Sequence, residues 1–176
     1  MTFDQLLLLG AIIVPAALGI IILVFFMNDH TRAKRLAWIA FSFPFIAGIF
    51  LFAGFDPYND GYSYEILFDR MGLQALGITF HLGLNGVSAP LFAMAGIVGF
   101  SAGFAAIKSQ ADRISLYLGL LAFMQAGLMG LFASVDIFFY YVFHEFALIP
   151  TFIMIGLWGG RDRRSVALEI TIYLTL

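Results

Sequence analysis

The stretch Asp136-Ile137-Phe138-Phe139-Tyr140-Tyr141-Val142-Phe143-His144-Glu145-Phe146-Ala147-Leu148-Ile149-Pro150-Thr151-Phe152-Ile153-Met154-Ile155-Gly156-Leu157-Trp158 is apolar or aromatic at nearly every position, yet holds a carboxylate in its middle. A helix rises about 1.5 Å per residue and a bilayer core is about 30 Å thick, so Ile137–Trp158 is long enough to cross it. Glu145 lies about nine residues past Asp136, or about 13 Å deep, close to the midplane. A charge at that depth costs about 2.5 to 3.5 kcal/mol even on the gentlest insertion scales, so a chain that keeps one generally uses it.

The rest of the chain repeats the pattern. Its 176 residues are 62% hydrophobic and 11% charged, with the apolar residues in unbroken runs. Leu6–Met27, Leu36–Phe55, Val87–Ile107 and Ile114–Ala133 are the other runs of membrane-crossing length, and Val166–Leu176 starts a sixth. Met1-Thr2-Phe3-Asp4 has no basic region before the first run, which reads as a retained helix rather than a secretory signal. The fold class is all-α: a polytopic transmembrane helix bundle, one transmembrane domain over residues 1–176, with five full helices and the start of a sixth.

Eight of the nine Lys and Arg residues fall in three alternate loops: Arg32, Lys34 and Arg35; Lys108 and Arg113; Arg161, Arg163 and Arg164. The loops on the other side hold only Arg70. The positive-inside rule puts the basic loops in the cytoplasm and the N-terminus outside. Asp4, Asp56, Asp60, Glu65, Asp69 and Asp136 then lie outside, and Trp38 and Trp158 fall at cytoplasmic helix ends, where indoles prefer to sit. The long outer loop from Asp56 to Gly86 opens on the turn-like Asp56-Pro57-Tyr58-Asn59-Asp60-Gly61, and no strand is expected in it. The basic residues form no continuous patch, so no nucleic-acid partner is expected. With no cysteine, the chain offers no thiolate for an iron–sulfur cluster and no disulfide.

Around Glu145, residues three and four away are Tyr141, Val142, Leu148 and Ile149, so Tyr141 alone offers a hydrogen bond from the same face. A carboxyl buried in a low-dielectric site favours its neutral form, and a nearby Lys reverses that; poised between the two, it can take up and release a proton. That makes Glu145 the candidate proton-relay acid, against the plain reading of a neutral acid bonding two helices together. His144 is a second candidate relay, against a satisfied structural histidine. Gln125 on the fourth helix is a candidate polar partner, against ordinary interhelical packing. Pro150 lacks the N–H that would bond the Phe146 carbonyl, and the freed carbonyl suggests local hydration beside the acid, against a simple packing kink. Consecutive helix positions point about 100° apart, so His144 and Glu145 make no preset metal site, and no metal is expected. Ala95, Gly99 and Gly103, and Ala122, Ala126 and Gly130, form small-residue stripes that predict close helix packing. Glu169 is expected to reach solvent or pair with Arg163 or Arg164.

The segment Tyr140–Pro150, with Ile155-Gly156-Leu157-Trp158-Gly159-Gly160 after it, resembles the fifth-helix signature of the antiporter-like subunit M of NADH-quinone oxidoreductase (mitochondrial subunit 4 type). Leu82-Gly83-Leu84-Asn85-Gly86-Val87-Ser88 resembles that family's approach to its third helix, and Gly127-Leu128-Met129-Gly130-Leu131-Phe132 part of its fourth. The resemblance implies a membrane-arm subunit of a respiratory complex I that couples electron transport to proton translocation, in a bacterial inner membrane. It implies partners among the other membrane subunits, the antiporter-like L and N, and the lipid bilayer. It also implies that NADH, flavin, iron–sulfur clusters and quinone are bound elsewhere in the complex and no cofactor here. The matching helix-5 Glu, at Glu145, would pair with a Lys on a seventh helix. Asn85 stands where relatives usually have Asp, His144 where Phe or Trp is common, and Glu169 where bacterial relatives often have Lys. Such subunits have roughly fourteen helices, so the chain is expected to be a fragment, a truncated product or the first piece of a split subunit. Two other readings share the architecture: a subunit of a cation/proton antiporter or membrane-bound hydrogenase, and a non-catalytic membrane scaffold.

Overall fold

The computed structural model describes residues 1–56, 61–68 and 77–175. The Pro57–Asp60 part of the expected turn, together with Asp69, Arg70 and Leu176, lies outside the described residues. The elements are α1 (Phe3–Phe25), α2 (His30–Ala53), β1 (Ser63–Phe68), β2 (Phe80–Leu84), α3 (Ser88–Lys108), α4 (Ile114–Ala133), α5 (Ile137–Trp158) and α6 (Arg163–Thr175). α1 to α5 are each long and apolar enough to cross a membrane, and they make the chain a multi-pass membrane protein.

The helix ends show what apolar runs do not report. Thr2 and Gln5 form a reciprocal capping box that starts α1 three residues before its apolar run. Asp29 accepts from the Arg32 N–H and starts α2 at His30, so Arg32, Lys34 and Arg35 stand on its first turns rather than in a loop. Likewise α6 takes in Arg163 and Arg164. Asn85 Oδ1 accepts from the Val87 and Ser88 N–H groups, 3.0 and 2.8 Å away, and prepares the start of α3.

α4 is the hub of the bundle, packed by α1, α2, α3 and α5. Close approach rests on small residues, as their spacing predicts. A Cβ on Gly19 would meet the α4 backbone at Gly119, one on Gly96 would meet the Pro44 carbonyl, and the ring of Phe41 fills the place of a side chain at Gly103. Without a hydrophobic drive between helices in lipid, such contact supplies the dispersion energy that holds them.

The outer loop does contain strands, contrary to the sequence expectation. β1 and β2 pair antiparallel, with Leu67 opposite His81 and Phe68 opposite Phe80, and an irregularity between Ser63 and Ile66. The hairpin caps the bundle: Ile66, Leu82 and Leu84 are buried in a core with Leu8, Leu51, Phe92 and Met129. Polar ties fix it further. Gln5 Nε2 donates to the Glu65 carbonyl, the Tyr64 hydroxyl to the Leu51 carbonyl, and the Val135 N–H to the His81 carbonyl. On its surface His81 Nε2 lies 2.6 Å from Glu65 Oε1.

At the opposite end His30 Nδ1 and Ser115 Oγ are 2.9 Å apart, and the Trp158 indole donates to the Asp112 carbonyl. All three basic segments gather there, and Asp4, Glu65 and Asp136 sit at the hairpin end, as alternation of helix direction requires.

Candidate functional site

α5 is held at both ends. The Asp136 carboxylate accepts from the Phe138 N–H at 2.8 Å, capping the helix, and from the Thr79 N–H at 3.1 Å, tying it to the hairpin. Trp158 anchors the other end. Between them α5 lies on glycines of α4: a Cβ on Gly127 would come 2.6 Å from the Ala147 nitrogen, and Phe143 sits directly over Gly130.

This docking fixes where Glu145 points. Residues two apart on a helix stand about 200° apart, so with Phe143 on α4 the acid faces away from it. Tyr141, Ile149 and Phe152, which share that face, are exposed. Glu145 Oε1 is buried and has no hydrogen-bond partner among the described residues. Tyr141 lies one turn earlier on the same face of α5. No Lys or Arg forms an ion pair with the acid among the described residues.

His144 lies at the edge of the α4–α5 contact. Its Nδ1 is also buried without a partner among the described residues, and its ring stacks on Tyr141, centroids 6.0 Å apart. With Met124, Leu128, Ala147, Leu148 and Thr151 it lines a shallow hollow of about 190 Å³. Thr151 Oγ1 donates to the Ala147 carbonyl at 2.8 Å and lies 3.2 Å from Met124 Sδ. Buried polar atoms are paired as a rule, so the two unpartnered atoms on neighbouring residues are exceptions among the described residues.

The structure thus brings Tyr141, His144 and Glu145 together and sets Gln125 apart. Gln125 is 2% exposed, donates to the Ala95 carbonyl at 3.1 Å and occupies the space over Gly99, on the side of α4 facing α3. Pro150 is buried within an unbroken α5, leaving the Phe146 carbonyl without its usual N–H. Glu169 accepts from the Ser165 hydroxyl at 3.2 Å, while Arg163 donates to the Leu157 carbonyl, so the Arg163 alternative expected for Glu169 is not the one formed. Among the described residues no three His, Asp or Glu side chains converge.

Gln5, Tyr64, Asp136 and Thr79 position α1, α2 and α5 against the hairpin and were not singled out by the sequence. The alternation in Ser63-Tyr64-Glu65-Ile66-Leu67-Phe68 was the signal available for β1.

No family model matches the chain. It is 30% identical to NADH-quinone oxidoreductase subunit M of Rhodobacter capsulatus, over 92% of this chain and 31% of that protein. Among solved structures, it superposes on a chain of respiratory complex I from Thermus thermophilus with bound NADH, with TM-score 0.71 and 26% identity, over 94% of this chain and 32% of that one. It shares its fold with a chain of an archaeal membrane-bound sulfane sulfur reductase, with TM-score 0.77 and 16% identity, over 96% and 34% of the two chains. The chain therefore spans about a third of the length of these relatives. Sequence and fold together relate it to subunit M of NADH-quinone oxidoreductase.

Proposed function

We propose that this chain is the N-terminal part of an antiporter-like subunit M in the membrane arm of a proton-pumping NADH-quinone oxidoreductase, and that Glu145 carries the proton through its section of the membrane. The observation behind this is Glu145 itself, half-buried near the middle of a membrane-crossing helix, with its Oε1 buried and unpartnered among the described residues and its face turned away from α4. A carboxyl that every neighbour satisfies is fixed in one protonation state; one that lacks a partner exchanges its proton when a partner or water reaches it.

Each neighbour has a part in that exchange. Tyr141 donates to the carboxylate and steadies it when charged. His144, with a free ring nitrogen one residue away, receives or returns a proton from the α4 side. The Phe146 carbonyl, freed by Pro150, holds water against the helix. On the open face, a Lys from a later helix of the full-length subunit supplies the counter-charge that turns the acid from one state to the other. Redox chemistry belongs to the assembly, with flavin, iron–sulfur and quinone sites in other subunits; the partners in the membrane are the L and N subunits, in a bacterial inner membrane with the basic end of this bundle cytoplasmic.

Glu145→Gln in the intact complex tests this. The amide keeps the volume and cannot ionise, so NADH-driven proton pumping and coupled quinone reduction fall strongly while assembly is retained. Undiminished pumping by an assembled Glu145→Gln complex removes the relay role.

A further inference from the structure

At the basic end, α2 and α3 leave a groove between them whose floor is aromatic and whose rim is cationic. Lys34 and Trp38 stand one above the other on α2, four residues apart. On antiparallel α3, Lys108, Phe104 and Phe100 repeat that spacing in the opposite direction. The rings meet across the groove: Trp38 lies 5.6 Å from Phe104 and 6.1 Å from Phe100, and Phe100 stacks on Phe45 at 4.7 Å. Lys108 Nζ sits 4.0 Å over the Phe104 ring. A hollow of about 380 Å³ at the rim is lined by His30, Thr31, Lys34, Arg35, Trp38 and Ile107.

We propose that this groove binds an anionic phospholipid, the phosphate held at the rim by Lys34 and Arg35 and an acyl chain laid along the Trp38–Phe104–Phe100 floor. Two observations carry it. The first is charge: Arg32 is engaged by Asp29 at 3.1 Å, but Lys34, Arg35 and Lys108 have no carboxylate partner among the described residues, and no carboxylate lines the hollow. Unneutralised cations at the border of the hydrocarbon attract anionic headgroups. The second is the wall below them. Trp38 is 39% exposed and Phe104 38%, at the helix level where an indole meets the interface. A free phosphate would use the cations alone; a lipid uses both, over about 16 Å from Lys34 to Phe45 at the helical rise.

The test uses the full chain in phosphatidylcholine nanodiscs that contain a minor fraction of either phosphatidylglycerol or phosphatidylcholine with brominated acyl chains, which quench tryptophan on contact. Brominated phosphatidylglycerol is expected to quench well in excess of brominated phosphatidylcholine, and Trp38→Phe to remove the excess, assigning it to this groove rather than to Trp158. Lys34→Gln with Arg35→Gln lowers the preference for the anionic lipid roughly five-fold for each charge removed, while Lys34→Arg with Arg35→Lys keeps it. Millimolar inorganic phosphate leaves the excess in place. Equal quenching by the two lipids in the unaltered chain, an excess that survives the double Gln change, or its loss to free phosphate overturns the assignment.

Discussion

Gly127 of α4 lies against the backbone of Ala147 of α5, so close that a Cβ at Gly127 would stand 2.6 Å from the Ala147 nitrogen and 3.0 Å from the Phe143 carbonyl oxygen. This contact sets the height and the rotation of α5, and through them the direction of Glu145. Backbone atoms cannot step aside as the end of a side chain can. Gly127→Val should therefore push the two helices apart and cost about 1 to 3 kcal/mol, read as a lowered thermal unfolding midpoint in detergent. Gly156→Ala is the matched control on α5, because nothing lies within 4 Å of its added Cβ. Equal midpoints for the two variants would mean that the α4–α5 seam is looser than this geometry.

The Gln125 amide over Gly99 invites a double-mutant cycle. Gly99→Ala places a methyl where the Gln125 head now lies, and so breaks the bond to the Ala95 carbonyl as well as the packing. Gln125→Ala alone loses that bond and opens a small gap, at a cost of about 1 kcal/mol for the bond. Together the two changes should be less damaging than their sum, with a coupling of about 1 to 3 kcal/mol. Additive effects on the unfolding midpoint would show that the amide is not held there. The same cycle separates Gln125 from the proton path, since proton pumping per assembled complex should follow stability and nothing else.

The five long helices could be read from the sequence because each is an apolar run of bilayer length, a property of consecutive residues. Glu145 stood out for the same reason, as an acid with no polar surroundings in such a run, and the structure places Tyr141 on its face as the helical spacing requires. The first turn of α2 could not be read this way, because Arg32, Lys34 and Arg35 look like loop until Asp29 is seen capping the Arg32 N–H, and Arg163 and Arg164 look like loop in the same way though α6 takes them in. The hairpin was legible only in part: Ser63–Phe68 carries the alternation of β1, but its pairing with β2 and the burial of Ile66, Leu82 and Leu84 that stabilises it belong to packing on the helices. Gln125 choosing Ala95, thirty residues away, is likewise a fact of packing between helices.

Tyr64 gives the hairpin a pH-dependent tie. Its hydroxyl donates to the Leu51 carbonyl at 3.1 Å, and its pKa is raised above the ordinary tyrosine value, first by burial and then by the Asp4 carboxylate. A raised folded-state pKa means that the neutral phenol is favoured by folding, so the contribution is complete below the ordinary tyrosine range, near pH 10, and is lost as pH climbs through the raised value. Tyr64→Phe should cost about 1 kcal/mol near neutral pH. The difference from the unaltered chain should shrink as the solution is made strongly alkaline. A difference that is constant up to strongly alkaline pH would mean that the hydroxyl contributes nothing there.

Pro150 offers the sharpest separation between a kink and a hydrated carbonyl. Pro150→Ala restores an N–H that can bond the Phe146 carbonyl, completing the helix one residue from Glu145, and removes little volume. If the proline serves only packing, the variant assembles and pumps as before, because an Ala helix is at least as favourable as a Pro one. If the free carbonyl holds water beside the acid, the variant assembles normally but loses proton transfer several-fold. The loss should be larger in D₂O, since the step that slows is movement of a proton. Assembly measured by native gel and pumping measured in the same proteoliposomes decide between the two. Normal pumping in the assembled Pro150→Ala complex would leave the proline as a packing element and place hydration of Glu145 on its open face, beside Tyr141.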